Sequence, residues 1–106
     1  MITINTRSIR EKDKQLTLKR MVLDYDPHIV VVTETWWNSE ENIPLCQGYA
    51  SVQTKPKESR GVAVFYRPCF DIKFELDISD DKILMGLAQE GFELTLVACY
   101  IPPNDS

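Results

Sequence analysis

A run of β-branched apolar residues at 29–32, Ile-Val-Val-Val, limits the fold of this chain more than any other feature. The run does not alternate with polar residues, so both of its faces are expected to be buried, as in a parallel strand. A short alternating strand pattern, Ile-Thr-Ile-Asn, lies at residues 2–5, and a helical pattern separates the two segments. Strand, helix and strand in this order predict a βαβ unit with a right-handed crossover.

The segment between the two strands shows the apolar spacing of a helix. Ser8 and Glu11 have the spacing of a capping box, which predicts that the helix begins nearby. The residue before a proline avoids the helical conformation, so Asp26-Pro27 is expected to end it. The expected buried face holds the apolar residues at i, i+3, i+4 and i+7, namely Leu18, Met21, Val22 and Tyr25.

The remainder of the chain is predicted to be mainly β-structure. A polar loop at 38–48 precedes four or five strand patterns, at 49–54, 61–67, 71–76, 82–89 and 92–101. Gln-Glu-Gly at 89–91 is typical of a tight hairpin connection. The nearly continuous apolar run from Leu94 to Ile101 predicts that the strand at 92–101 is a central one. Alternation in 61–67 predicts two opposite faces, one with Val62, Val64 and Tyr66 and the other with Ala63 and Phe65. The fold class is therefore α/β, with a mixed, mostly antiparallel sheet and an N-terminal βαβ unit.

Composition excludes several classes of protein. With 106 residues the chain is one domain at most, and with 43% hydrophobic and 26% charged residues it has an ordinary globular composition. Its net charge of −4 argues against a purely electrostatic binder of nucleic acids. Cys46, Cys69 and Cys99 form no CxxC pair, so we expect neither zinc nor disulfides but buried thiols in a reducing compartment. Neither a secretory signal nor an apolar membrane span is apparent, which predicts an intracellular protein, nuclear or cytoplasmic and not secreted.

The βαβ unit brings the ends of its two strands to one edge of the sheet, where open α/β sheets bind ligands. Asn5 and Arg7 lie at the end of the first strand, and Glu34 lies at the end of the second. An amide, a guanidinium and a carboxylate should therefore lie close together. The carboxylate suits Mg²⁺, which proteins usually hold with one or two carboxylates plus water and phosphate oxygens. The alternative is that Glu34 is simply the first solvated residue after a buried strand.

Four motifs in order resemble the endonuclease/exonuclease/phosphatase superfamily. They are residues 5–9 (Asn-Thr-Arg-Ser-Ile), 26–36 (Asp-Pro-His-Ile-Val running to Thr-Glu-Thr-Trp), 59–66 (Ser-Arg-Gly-Val-Ala-Val-Phe-Tyr) and 98–103 (Ala-Cys-Tyr-Ile-Pro-Pro). The second and fourth are similar to the apurinic-endonuclease-like domain of non-LTR (LINE-type) retrotransposons, which carry a reverse transcriptase downstream. The resemblance covers nearly the whole chain.

This resemblance implies a DNase I-like four-layer α/β sandwich of about twice this length. Residues 1–106 would then be a single incomplete domain, its N-terminal half, with the missing C-terminal half as intramolecular partner. The implied function is Mg²⁺-dependent nicking of target DNA by phosphodiester hydrolysis, which primes reverse transcription. By resemblance Glu34 would be the metal ligand, and Asn5, Glu34 and Tyr100 the catalytic residues. Asn5, Arg7 and Tyr100 would contact DNA.

Departures from the family leave alternatives open. Relatives carry an Asp-x-Asn pair beyond the tyrosine and a terminal Asp-His, which are expected to be missing, and His28 reads as a strand-entry residue. Without a general base, the chain by itself is expected to be inactive. A phosphatase or phospholipase of the superfamily, a non-catalytic relic and a small α/β interaction module remain alternatives. Tyr100 could merely cap a core strand, and Asn5 could be a turn former. Trp36 and Trp37 could stack on a base or cover the sheet edge.

Overall fold

One helix and two β-sheets make up the described part of the chain, which covers residues 1–39, 43–44, 47–55, 60–79 and 81–100 of a computed structural model. Four strands form one sheet in the order β1-β2-β4-β3, and three form a second in the order β5-β6-β7. The elements in chain order are β1 (Ile2–Asn5), α1 (Lys12–Tyr25), β2 (Ile29–Thr33), β3 (Ala50–Gln53), β4 (Val62–Tyr66), β5 (Asp71–Ser79), β6 (Lys82–Gln89) and β7 (Phe92–Cys99).

The predicted βαβ unit is confirmed. β1 pairs in parallel with β2, and α1 lies between them along the chain. Every residue of β2 is buried, because β2 lies between β1 and β4 and both of its faces meet a core. Val30 and Val32 pack with α1 on one face, whereas Ile29 and Val31 pack toward the second sheet. The continuous apolar run is therefore explained by burial on two sides.

The end of α1 and its start near Ser8–Glu11 are confirmed, but the capping box suggested by these residues does not form. Asp26 ends the helix in the left-handed conformation, and its N–H donates to the carbonyl of Val22. The helix begins at Lys12 without a side-chain cap, because Ser8 has a φ of 96° and belongs to the preceding turn. Leu18 and Val22 are buried, whereas Tyr25 is 71% exposed, so the buried face of the helix is shorter than predicted.

The two sheets pack face to face, as the resemblance implies. β4 contributes Val62, Val64 and Tyr66 to the core between the sheets, and its opposite face contributes Ala63 and Phe65 to the core under α1, as predicted. The second sheet meets the first through inward residues of β6 and β7: Ile83, Met85, Leu87, Leu96 and Ala98. The described layers are thus a helix, a mixed sheet and an antiparallel sheet.

The prediction that 92–101 is a central strand is wrong. β6 is the central strand of the second sheet, and β7 lies at its edge among the described strands. Leu96 and Ala98 face the core while Val97 is 60% exposed, so the apolar run covers two unlike faces. The hairpin prediction is confirmed, because Gln89 pairs with Phe92 across a turn in which Gly91 has a φ of 78°.

The prediction that the cysteines are buried is wrong for the two cysteines that the structure describes. Cys69 lies in the turn after β4, Cys99 ends β7, and both are exposed. The other predictions on Cys46, Ser59 and residues 101–103 lie outside the described residues. Within the described part of the chain, no helix has the length and apolar character that a membrane crossing requires.

Candidate active site

Hydrogen bonds beyond the ends of β1 and β2 hold the backbone of Glu34. The carbonyl oxygen of Glu34 accepts the N–H of Ser8 at 2.8 Å and the hydroxyl of Thr6 at 3.1 Å. The carbonyl of Thr35 accepts the N–H of Ile9 at 2.8 Å. Because Thr6 and Ser8 are buried, these bonds are shielded from water. Glu34 therefore leaves the sheet from a fixed point.

Unusual backbone conformations are concentrated at this edge. Among the described non-glycine residues, φ is positive at Arg7 (47°), Ser8 (96°), Glu34 (52°) and Trp36 (52°), and otherwise at the helix cap Asp26. Each such conformation costs about 1–3 kcal/mol and persists where surrounding contacts enforce it. Four of them within two adjacent loops indicate that the local structure serves the placement of side chains.

A close approach at Gly61 holds the other side of this loop. Thr35 donates its N–H to the carbonyl of Gly61 at 3.3 Å, and Trp36 donates its N–H to the carbonyl of Arg60 at 2.9 Å. Gly61 has a φ of 116°, and a Cβ at this position would lie 2.3 Å from the hydroxyl oxygen of Thr35. Only glycine allows the two segments to come this close.

Tyr100 meets Glu34 from the other sheet. Its ring packs against the core between the sheets, and its N–H donates to the carbonyl of Asp81 at 2.9 Å. Its hydroxyl donates to the Glu34 carboxylate, and this bond is the main reason that the pKa of Tyr100 is raised. Burial and the negative charges of Glu34 and Asp81 raise the pKa further, whereas Arg60 lowers it. The Tyr100 hydroxyl is therefore a proton donor rather than a base.

Asn5 and Arg7 lie at the same edge. Asn5 is the exposed last residue of β1 and pairs with Thr33, the residue before Glu34. Arg7 is exposed, and its carbonyl accepts a hydrogen bond from the Lys14 ammonium. The fold thus brings Asn5, Arg7 and Glu34 to one edge of the sheet, as the topology predicts, and the Glu34 carboxylate raises the pKa of Tyr100. The close approach of the three side chains stays a prediction.

The donors at this edge suit an ion that keeps part of its water shell, such as Mg²⁺, better than an ion that protein ligands enclose completely. The described residues contain no group of three or more His, Cys, Asp or Glu side chains that could hold a metal. Glu34 is half-exposed, so water and a phosphate oxygen could complete the coordination around its single carboxylate. The amide oxygen of Asn5 is a further hard donor at the same edge.

Sequence reasoning missed three residues that build this edge. Thr6 bonds the Glu34 backbone, and Arg60 pairs with Asp81 through a 2.8 Å hydrogen bond between the two sheets. Arg60 reads in the sequence as one basic residue of a polar loop. Pairs between sheets depend on how the sheets face each other, which local sequence patterns do not specify. The position of Arg60 beside Gly61 was the one available signal.

The structure also shows where Trp37 and His28 lie. Trp37 packs against the core under α1, which supports covering of the sheet edge over stacking on a base. His28 lies at the entry to β2, where its ring meets that of Phe70 edge-on at 6.3 Å. His28 therefore lies at the opposite end of β2 from Glu34.

Comparison with known proteins identifies the family. A sequence profile of the Endonuclease/Exonuclease/phosphatase family matches residues 2–103. The chain belongs to this family. No curated protein matches the chain by sequence. The four motifs of the sequence thus lie in a true member of the superfamily that they resemble.

Solved structures with a similar fold include members of the family that are described as AP endonucleases. AP endonuclease LMAP from Leishmania major has a TM-score of 0.73 at 17% identity over 94% of this chain. The Xenopus laevis APE2 catalytic domain has a TM-score of 0.71 at 19% identity over 98%. An AP endonuclease from Archaeoglobus fulgidus has a TM-score of 0.72 at 23% identity over 95%. At these identities the likeness shows the fold, which is DNase I-like.

The chain spans less than half the length of each of those neighbours. The chain spans 39%, 46% and 40% of the three solved chains, so it represents a fragment of their fold. The helix, the mixed sheet and the antiparallel sheet described above are that fragment. The α/β class and the N-terminal βαβ unit predicted from the sequence are thereby confirmed.

The contact between Tyr100 and Glu34 predicts how the tyrosines titrate. The ordinary tyrosine pKa is 10.0, and it is raised for Tyr100 and also for Tyr66, which is buried near Glu75. A raised pKa means that the stabilisation from the neutral phenol is complete below pH 10.0 and is lost as pH rises through the folded value. Spectrophotometric titration of Tyr100→Phe should therefore lack one of the late-titrating phenols.

Glu34→Gln is the companion variant for this titration, because it retains the phenol but removes the charged acceptor. It should lower the pKa of Tyr100 while Tyr66 still titrates late. A titration curve of Tyr100→Phe whose late part matches that of the parent protein would show that Tyr100 does not bond Glu34.

Proposed function

We propose that this chain forms the N-terminal part of a Mg²⁺-dependent endonuclease that nicks DNA by phosphodiester hydrolysis. The observation that carries the proposal is the geometry of the edge where β1 and β2 end, at which backbone hydrogen bonds from Ser8 and Ile9 hold the loop that bears Glu34. Family membership over residues 2–103 supports it, and so do neighbours described as AP endonucleases. Because the chain spans less than half of each neighbour, we propose that a C-terminal half completes the domain.

Each residue of the edge has a role that its chemistry allows. The carboxylate of Glu34 would hold Mg²⁺, which supplies Lewis-acid polarisation of the scissile phosphate and stabilises the leaving oxyanion. Tyr100 keeps its proton at neutral pH, as a phenol with a pKa of 10.0 already does and the raised pKa of Tyr100 reinforces, and it can donate a hydrogen bond to a phosphate oxygen. Asn5 and Arg7 are exposed donors at the same edge and can bind the DNA backbone.

Activation of the attacking water is assigned to the missing half. The one histidine in the sequence, His28, lies at the far end of β2 from Glu34. The described edge therefore supplies metal and phosphate ligands and leaves the general base to another part of the protein. A phosphatase of the family would use the same Glu34 and Asn5 on a smaller phosphate ester.

A non-LTR retrotransposon origin is the finer part of the proposal. It is supported by the wording of two sequence motifs, Thr-Glu-Thr-Trp at 33–36 and Tyr-Ile-Pro-Pro at 100–103. Coding sequence for Asp-x-Asn, Asp-His and then a reverse transcriptase downstream of this segment would support it. The same position filled by unrelated sequence would favour a relic or an interaction module.

Binding of Mn²⁺, a paramagnetic substitute for Mg²⁺, tests the metal site in the chain as it stands. Mn²⁺ should broaden the amide NMR signals of residues near Glu34, such as those of Thr6 and Thr35, because these amides surround its backbone. In Glu34→Gln, about tenfold more Mn²⁺ should be needed for the same broadening, since the substitution removes the single carboxylate of the site.

Glu93→Gln is the matched control, because Glu93 is an exposed carboxylate at the opposite end of β7 from Tyr100. It should leave the broadening near Glu34 intact. Equal broadening in Glu34→Gln and in the parent protein would remove Glu34 as the metal ligand and with it the basis of the proposed reaction.

A further inference from the structure

The ion pair between Arg60 and Asp81 joins the two sheets at the candidate active site. The Nη1 atom of Arg60 donates to the Oδ2 atom of Asp81 at 2.8 Å. Arg60 lies just before β4 in the first sheet, and Asp81 lies in the turn between β5 and β6 in the second. The proposed Mg²⁺ chemistry assigns no role to either residue.

Burial distinguishes this pair from an ordinary surface salt bridge. The Asp81 side chain is 10% exposed, whereas that of Arg60 is 43% exposed. A carboxylate withdrawn from water to this extent is costly unless a cation stays beside it. The two side chains are therefore held in one arrangement. A salt bridge between exposed side chains would not constrain their positions in this way.

The backbones of the same two residues hold the two halves of the Glu34–Tyr100 contact. The carbonyl of Arg60 accepts the N–H of Trp36 at 2.9 Å, in the loop that carries Glu34. The carbonyl of Asp81 accepts the N–H of Tyr100, also at 2.9 Å. The side-chain bond between Arg60 and Asp81 thus links the loop that carries Glu34 to the strand end that carries Tyr100.

We propose that Arg60 and Asp81 are positioning residues, whose ion pair sets the separation between the Glu34 loop and the Tyr100 strand end. The role of this ion pair in an active site rests on the proposed function, whereas the coupling between the two segments does not. The pair acts through the backbone of Trp36 and Tyr100 and does not itself contact the metal or the phosphate. Loss of the pair frees the Glu34 loop and the Tyr100 strand end to move apart.

Amide hydrogen exchange measured by NMR in Arg60→Gln and Asp81→Asn tests the coupling. Exchange of the Trp36 and Tyr100 amides should accelerate roughly tenfold, as expected for the loss of a hydrogen bond to a charged group. Exchange of the Val31 and Val64 amides, in the paired strands β2 and β4, should stay unchanged. Arg60→Lys keeps the positive charge and should restore part of the protection.

A second ion pair provides the matched control. Arg67 pairs with Asp26 just beyond the opposite end of β4 from Arg60. Asp26→Asn suits the left-handed cap, since asparagine tolerates positive φ, and should leave exchange at Trp36 and Tyr100 unchanged. Uniform acceleration throughout both sheets, or unchanged exchange at Trp36 and Tyr100, would reduce the Arg60–Asp81 pair to a structural contact. Should Asp81→Asn not fold, Arg60→Gln decides alone, because Arg60 is more exposed.

Mn²⁺ broadening of the same samples separates this proposal from the proposed function. A parent protein without Mn²⁺ broadening near Glu34 would contradict the metal site, but the exchange result would still decide the coupling. If the parent protein does bind Mn²⁺, Asp81→Asn should weaken binding several-fold, since Glu34 loses its fixed position. Unchanged Mn²⁺ affinity beside accelerated exchange would show that the ion pair does not position Glu34.

Discussion

Gly61→Ala is expected to lower the free energy of unfolding by about 2–4 kcal/mol, a large part of the stability of a small domain. Two effects add. A φ of 116° disfavours any residue with a Cβ, and the new Cβ would lie 2.3 Å from the hydroxyl oxygen of Thr35. Thr35 is buried and its backbone bonds to Ile9 and Gly61, so it has little room to move aside.

Gly48→Ala separates these two effects. Gly48 has a φ of 89°, but nothing lies within 4 Å of a Cβ built there. Its substitution should cost only the conformational penalty, about 1 kcal/mol. Urea unfolding followed by tryptophan fluorescence gives both values. Equal losses in the two variants would show that Gly61 and Thr35 do not approach as closely as the structure has them.

The Gly61 contact illustrates why parts of the site cannot be predicted from sequence. The sequence shows a glycine at the start of a strand, but its steric partner Thr35 comes from a distant segment. By contrast, local patterns of apolar residues predict the βαβ unit, the burial of β2 and the two faces of β4. These predictions are confirmed. Local periodicity reports burial, whereas contacts between segments depend on tertiary packing.

The absence of the capping box before α1 has a related cause. Ser8 and Glu11 match a capping box, but Ser8 has a φ of 96° and gives its N–H to the carbonyl of Glu34. A tertiary hydrogen bond at the candidate site has replaced the local one that the pattern predicts. The placement of Asn5, Arg7 and Glu34 on one edge followed from topology alone. Tyr100 came from the family resemblance, because no local pattern points to a partner in the other sheet.

Met85→Ala tests whether the two sheets pack as the site requires. Met85 is completely buried in the middle of β6, the central strand of the second sheet, and belongs to the same core cluster as Val31 and Val64 of the first sheet. Removing most of its side chain should leave a cavity and lower the free energy of unfolding by about 2–5 kcal/mol. The measurement is again urea unfolding, with the slope of the transition checked for two-state behaviour.

Val97→Ala is the matched control for Met85→Ala, because Val97 is 60% exposed on the outer face of the same sheet. It should cost about 0.5 kcal/mol or less. The core around Met85 is also the one against which the Tyr100 ring packs, so a cavity there loosens the support of the Glu34–Tyr100 contact. Met85→Ala should therefore also accelerate amide exchange at Tyr100 more than Val97→Ala does. Equal effects of the two substitutions would mean that the second sheet does not pack on the first through this face, and that Tyr100 is not held beside Glu34.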